Sequence, residues 1–272
     1  MATHAQRWPA GTPCWVEITV GDLARSQEFY RSVLGWEFED SGPEYGHYNN
    51  ALVGGRRVAG MSPPMDAGGE WASVWTTYLA TDDIGATAQA AALAGAHLVL
   101  EPMEIGAFGR MGLWVDTAGA AFGAWESREH TGYDAHNEHG AVGWVDLVTS
   151  DLDAARAFYA GVFGLTYEDL SVSGIGYATF TPPGGRWPAG GMGDQQDGDS
   201  LGPRWCVTFE VDDVDAARQR VLDAGGAAPD DPWDVEFGRI ATVRGPDGEE
   251  FSLMRSAGPT ESSDGPGISG RG

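Results

Sequence analysis

Trp15-Val16-Glu17-Ile18-Thr19-Val20-Gly21-Asp22-Leu23 returns later in the chain as Trp144-Val145-Asp146-Leu147-Val148-Thr149-Ser150-Asp151-Leu152, an offset of 129 residues from 15 to 144. Working outward from this stretch, the register holds. Phe29-Tyr30 matches Phe158-Tyr159, and Gly35 matches Gly164. Gly54-Gly55-Arg56 matches Gly184-Gly185-Arg186, Asp82-Asp83 matches Asp212-Asp213, and Phe108-Gly109-Arg110 matches Phe237-Gly238-Arg239. An offset that stays at 129 or 130 over about 110 residues identifies a tandem duplication of residues 15–128 and 144–256.

Each repeat splits again. Residues 14–20 alternate and then meet Gly-Asp, the pattern of a strand followed by a helix start. The Asp22 carboxylate is placed to accept a first-turn N–H. Phe29, Tyr30, Val33 and Leu34 fall on one helical face, and Gly35 ends the helix. Short strands broken by clusters such as Gly54-Gly55 and Pro63-Pro64 follow. A second unit begins near Trp75, with its helix after Asp83 and a stop at Gly95. The pattern predicts four βαβββ modules, starting near residues 14, 75, 143 and 205.

The 272 residues suffice for two domains of ordinary size. Residues 10–128 and 141–256 read as the domains, and 129–140 as a polar, solvated linker. Residues 257–272, rich in Gly, Ser and Pro, read as a disordered tail. The linker carries His130, His136 and His139, but no Cys or acidic partner has matching spacing, so they read as solvated rather than metal-binding. Forty acidic residues against 16 basic ones, all of them Arg, leave a net charge of -24. Such a surface repels nucleic-acid phosphates and anionic lipid, which excludes both as partners, and it attracts cations. Cys14 and Cys206 form neither a disulfide framework nor a metal-type cluster. No apolar run reaches signal-peptide or membrane-spanning length, so a cytoplasmic location is expected. Self-association is left open.

Paired βαβββ modules with a strand, then Asp-Leu, then a helix bearing Phe-Tyr and a Gly stop resemble the vicinal-oxygen-chelate superfamily of glyoxalases, bleomycin-resistance proteins and dioxygenases. The turns Asp116-Thr-Ala-Gly119 and Pro246-Asp247-Gly248 before the last strand of each repeat are similar too. The chain also looks like a two-domain bacterial subgroup labelled glyoxalase or hydroxylase. The resemblance implies an α+β fold: tandem glyoxalase-like domains, each of two βαβββ modules forming a cleft. In metal-dependent members a His, Gln or Glu on the first strand and a Glu on the last strand hold a divalent ion, with positions open for substrate. Carried over one position at a time, the first-strand sites are Trp15, Thr76, Trp144 and Cys206, and the last-strand sites are Gly123 and Ser252. None is such a ligand, so no metal and no other cofactor is expected.

The cleft faces have other content. Side chains alternate along a strand, so Trp15, Glu17 and Thr19 share one face and Val16, Ile18 and Val20 the other. The apolar face should meet the helices and the first should line the cleft. Trp144 and Asp146 repeat this, with Tyr78 on the second module and Thr208 and Glu210 on the fourth. A Trp above a carboxylate can cradle a flat or cationic ligand, or the Trp can simply fill the cleft. Glu17 and Asp146 are candidate bases if burial raises their pKa. Arg110 and Arg239 could contact an acidic substrate group, pair with Glu17 and Asp146, or form surface salt bridges. Asp194-Gln-Gln-Asp197-Gly-Asp199 lacks the spacing of a calcium loop and reads as solvated. Two function classes follow. One is a glyoxalase-like enzyme (lyase, isomerase or hydroxylase) acting on a small oxygenated metabolite. The other is a non-catalytic, drug-resistance type of binder that sequesters an aromatic or cationic compound.

Overall fold

Strand β1 (Pro13–Thr19) leads into helix α1 (Leu23–Leu34), and the hand-over is local chemistry. Asp22 Oδ1 accepts the Arg25 N–H at 3.0 Å, and Gly35 closes the helix in the left-handed conformation, φ 73°. The buried face is Phe29, Tyr30, Val33 and Leu34, as the spacing predicts. Strands β2 (Glu37–Asp40), β3 (Asn49–Val53) and β4 (Arg56–Ser62) complete the first module. The second consists of β5 (Trp75–Ala80), α2 (Ile84–Leu93), β6 (His97–Ile105), β7 (Gly109–Val115) and β8 (Ala121–Ser127). The second repeat copies this order. It runs β9 (Val142–Thr149), α3 (Leu152–Phe163), β10 (Thr166–Asp169), β11 (Tyr177–Thr181) and β12 (Gly190–Asp194). It continues with β13 (Arg204–Glu210), α4 (Val214–Asp223), β14 (Trp233–Val235), β15 (Gly238–Arg244) and β16 (Glu250–Ser256). This computed structural model describes residues 4–64, 73–172, 174–196 and 199–257. The expected tail, apart from residue 257, lies outside the described residues.

Each repeat forms one eight-stranded sheet. The first has the order β2-β3-β4-β1-β5-β8-β7-β6, and the second, β10-β11-β12-β9-β13-β16-β15-β14, is its copy. The two modules of a repeat join through their first strands, β1 antiparallel to β5 and β9 antiparallel to β13. Modules one and two therefore share one cleft, and modules three and four the other.

Val16 and Ile18 are buried in the core. The sheets face each other across this core. The helices pack in mixed pairs, α1 with α4 and α2 with α3, and β5 touches β13. Trp36 and Trp75 of the first repeat meet Phe209 of the second edge-on, at 5.3 and 5.2 Å. Polar pairs cross the interface in near-symmetric fashion. Tyr30 donates to Glu249 at 2.8 Å, and its counterpart Tyr159 donates to Asp116 at 3.0 Å.

The linker corrects the sequence reading. Tyr133 and Ala135 are buried, not solvated. The Tyr133 N–H donates to the Cys14 carbonyl at 2.9 Å. The His130 ring meets Trp15 edge-on at 4.5 Å. Histidines and glycines gave the segment its polar look, but the one tyrosine and one alanine between them supply enough apolar surface to dock it.

Candidate functional site

The alternation of β1 puts Trp15 and Glu17 on the face opposite Val16 and Ile18, where Trp15 is buried against His130 and Tyr133, and β4 lies alongside with Gly60 opposite Glu17. A side chain there would displace Tyr48, because a Cβ on Gly60 would lie 1.8 Å from the Tyr48 hydroxyl. The glycine thus lets Tyr48 reach the strand. Tyr48 OH donates to Glu17 Oε2 at 3.0 Å and accepts the Trp15 Nε1–H at 2.8 Å. Tyr78, opposite on β5, donates to Glu17 Oε1 at 2.5 Å. Both oxygens of Glu17 are therefore taken.

The second repeat carries the same device with one part removed. Gly191 lies opposite Asp146, again in contact with a tyrosine hydroxyl. Tyr177 OH donates to Asp146 Oδ1 at 2.9 Å, and Trp144 Nε1 donates to the same oxygen at 3.1 Å. Oδ2 takes neither bond. In Tyr78's place stands Thr208, too short to span the gap. The last strand shows the complement. The Tyr78 ring covers Gly123, where a Cβ would meet Tyr78 Cδ1 at 2.2 Å, whereas its counterpart Ser252 lines an open cavity. That cavity, of about 320 Å³, is lined by Asp146, Tyr177, Ile175, Arg204, Cys206 and Ser252, among others.

Burial raises the pKa of Asp146, against the smaller opposing effect of the Tyr177 and Trp144 hydrogen bonds. Burial likewise raises that of Glu17, against Tyr78 and Tyr48. Among the described residues neither carboxylate has a cationic hydrogen-bond partner, so desolvation prevails. Burial pushes the Cys206 thiol up to about 12, leaving it protonated near neutral pH. Arg204, two positions along β13 on the same face, is held by Asp199 at 2.7 Å and Glu250 at 2.8 Å.

The remaining sequence candidates sit elsewhere. Arg110 pairs with Glu104 and Glu126, at 3.4 and 3.3 Å, rather than with Glu17. Arg239 pairs with Asp215 and Asp234, at 2.8 and 3.0 Å, rather than with Asp146. Both arginines stand on outer strands beside nearer acids. Glu210 is buried and accepts the Ser256 hydroxyl and N–H, and Thr208 is buried beside Trp144 on the neighbouring strand. Asp199 is an arginine partner, and Asp194 accepts the Gly176 N–H at 2.8 Å, so neither end of the acidic run is merely solvated. Tyr48 and Tyr177 escaped the sequence reading. Their shared offset of 129 was the available signal.

The positions that would hold a divalent ion do not suit one. They present indole (Trp15, Trp144), hydroxyl (Thr76, Ser252), a bare glycine (Gly123) and a protonated thiol (Cys206). Among the described residues no group of three or more His, Cys, Asp or Glu is arranged to bind metal.

Comparison with known proteins agrees with this architecture. Residues 13–123 and 141–253 each match the glyoxalase/bleomycin resistance protein/dioxygenase superfamily. The chain belongs to that superfamily. It is 32% identical over 266 residues to the anthracycline biosynthesis protein DnrV of Streptomyces peucetius, which covers 91% of this chain and 94% of that one. It is also 32% identical over 259 residues to CFP32 of Mycobacterium tuberculosis, which carries a glyoxylase name, covering 91% and 95%. The Mn(II)-bound glyoxalase of Novosphingobium aromaticivorans superposes with a TM-score of 0.62 at 15% identity, over 91% of this chain and 82% of that one. The 2,3-dioxygenase LapB of Pseudomonas sp. KL28 does so with 0.62 at 11% identity, over 93% and 94%. These distant structures share the fold.

Proposed function

We propose that this superfamily member binds a small oxygenated organic molecule in the cleft of its second repeat, and that Asp146 moves a proton there without a metal ion. One observation carries the reading: of two homologous carboxylates, Glu17 is closed in by two tyrosines, while Asp146, bonded by Tyr177 and Trp144 through Oδ1, lines a cavity. A buried carboxyl with a raised pKa is tuned toward the range in which a general base works. Tyr177 and Trp144 fix Oδ1, so Oδ2 can meet an acidic C–H or O–H of the ligand. Names borne by relatives, a glyoxylase and an anthracycline biosynthesis protein, support oxygen-bearing carbon compounds as the class.

The test is solvent deuterium uptake, followed by NMR, into a panel of α-hydroxy ketones and hydroxylated aromatics. Wild type should catalyse exchange that survives EDTA, and Asp146→Asn should lower the rate by about 10²–10⁴-fold, the usual range for a lost general base. Exchange abolished by EDTA and restored by Mn(II), or untouched in Asp146→Asn, would contradict the proposal. A second reading, sequestration of a cationic compound, is favoured by the cleft's charge, since among the described lining residues Asp146, Asp194 and Glu250 stand with a single cation, Arg204. It predicts binding without exchange, weakened in Asp146→Asn far more for a cationic ligand than for a neutral one.

A further inference from the structure

In the first repeat, the β2–β3 loop and the β6–β7 turn belong to opposite halves of the sheet, yet they meet. Tyr45, in the 3-10 turn Pro43–Tyr45, packs its ring 5.1 Å from that of Phe108, tilted by 57°. The sheet is curled until side chains from its two flanks close on each other.

The second repeat has the same frame without that closure. The loop between β10 and β11 is as long as its copy, since Asp40 and Tyr48 bracket one and Asp169 and Tyr177 the other, all at an offset of 129. Phe237 stands where Phe108 stands: its carbonyl accepts the Ala257 N–H just as that of Phe108 accepts the Arg128 N–H. The counterpart of Tyr45, however, is Gly174, and among the described residues nothing beyond its chain neighbours lies within 4 Å of where its side chain would begin. Phe237 is left 62% exposed, and Ile175, which lines the cavity, 52% exposed. Ile175 lines the cavity, and Phe237, outside that lining, stands where its copy Phe108 meets Tyr45; apolar side chains so bare to water mark a place where contact with something else is favourable. What is missing at this rim, relative to the first repeat, is the Tyr45 ring.

We infer that the ligand supplies that ring: the second cleft holds a planar aromatic group between Phe237 and Ile175, with the ligand's oxygen substituents directed at Asp146 and Tyr177. This inference rests on the second cleft being the ligand site. Phe237 then determines specificity by face and edge contact, which favours a flat ring over a puckered one of equal size. The two copies of one duplicated domain differ as a self-closed and a ligand-closed form of the same cleft.

The experiment is calorimetric titration with 1-naphthol and with its saturated counterpart, decahydro-1-naphthol, against wild type, Phe237→Ala, Phe108→Ala and Asp146→Asn. Phe237 is exposed, so its truncation should leave the melting temperature in place. Phe237→Ala should weaken 1-naphthol about five- to tenfold and leave the weaker binding of decahydro-1-naphthol nearly unchanged. Phe108→Ala should change neither. Equal affinity for 1-naphthol in wild type and Phe237→Ala, or the same loss for both probes, overturns the inference. If 1-naphthol binding still depends on Asp146, the proposed site survives and only the aromatic contact falls. Failure of 1-naphthol to bind at all refutes the aromatic class, while Asp146-dependent binding of non-aromatic compounds would leave the site standing.

Discussion

Glu17 and Asp146 occupy one position in two copies of a domain, and their surroundings separate their roles. Tyr78 takes the second oxygen of Glu17, whereas Thr208 leaves that of Asp146 alone. Burial raises the folded pKa of Glu17 above its ordinary value of 4.5, so its charged form costs stability at every pH above the folded value. The cost disappears below the ordinary value, where the group is protonated in both states. Glu17→Gln should therefore melt higher than wild type at pH 7, by about 2–4 °C for each kcal/mol at this chain length, with the gain gone below pH 4.5. A gain that persists at low pH, or a loss at pH 7, would show that the charge is not what strains the site. The strand face, the carboxylates and Tyr78 were legible from alternation alone. Tyr48 and Tyr177 were not, because each sits at the end of an irregular loop where alternation gives no direction. Arg110 and Arg239 misled for a related reason: a motif gives a residue's place in the chain but not which of several acids lies nearest.

The linker is the element whose reading changed most. A segment between two domains looks polar when averaged, but docking depends on single residues, here Tyr133 and Ala135. Tyr133→Ala removes a buried ring and should cost about 3–5 kcal/mol, as aromatic truncations in a core do, read as a lower midpoint in urea. A midpoint unchanged within error would put the linker back in solvent. His130 makes the same docking pH-sensitive. Burial lowers its pKa from 6.5 to about 4. As the pH falls through that window, the unfolded chain takes a proton that the folded chain refuses, and stability declines. His130→Asn should lose packing at pH 7, and its deficit relative to wild type should shrink between pH 6.5 and 4. A deficit constant across that range would place the imidazole in water. The helices, by contrast, were readable in detail, since caps and periodicity are local and Asp22, Asp151 and Gly35 act within a turn of where they stand.

At the scale of the molecule, duplication set both the fold and its asymmetry. The constant offset revealed two equal domains, but not that their helices would pack across each other. That follows from apolar faces too large for either domain to bury alone. The Tyr30–Glu249 and Tyr159–Asp116 bonds tie the halves together, so the chain should melt in one calorimetric transition. Tyr30→Phe should cost about 1–3 kcal/mol by leaving the buried Glu249 short of a donor. Two separate transitions would mean independent domains. Within this frame the repeats have diverged where it matters for binding: Tyr45 and Tyr78, the latter laid over Gly123, fill the first cleft, and Gly174, Thr208 and Ser252 open the second. The stoichiometry of binding tests this division most directly. Calorimetric titration of the intact chain with 1-naphthol should give one site per chain, weakened in Asp146→Asn and retained in Glu17→Gln. Two equivalent sites, or a single site lost in Glu17→Gln and kept in Asp146→Asn, would contradict it.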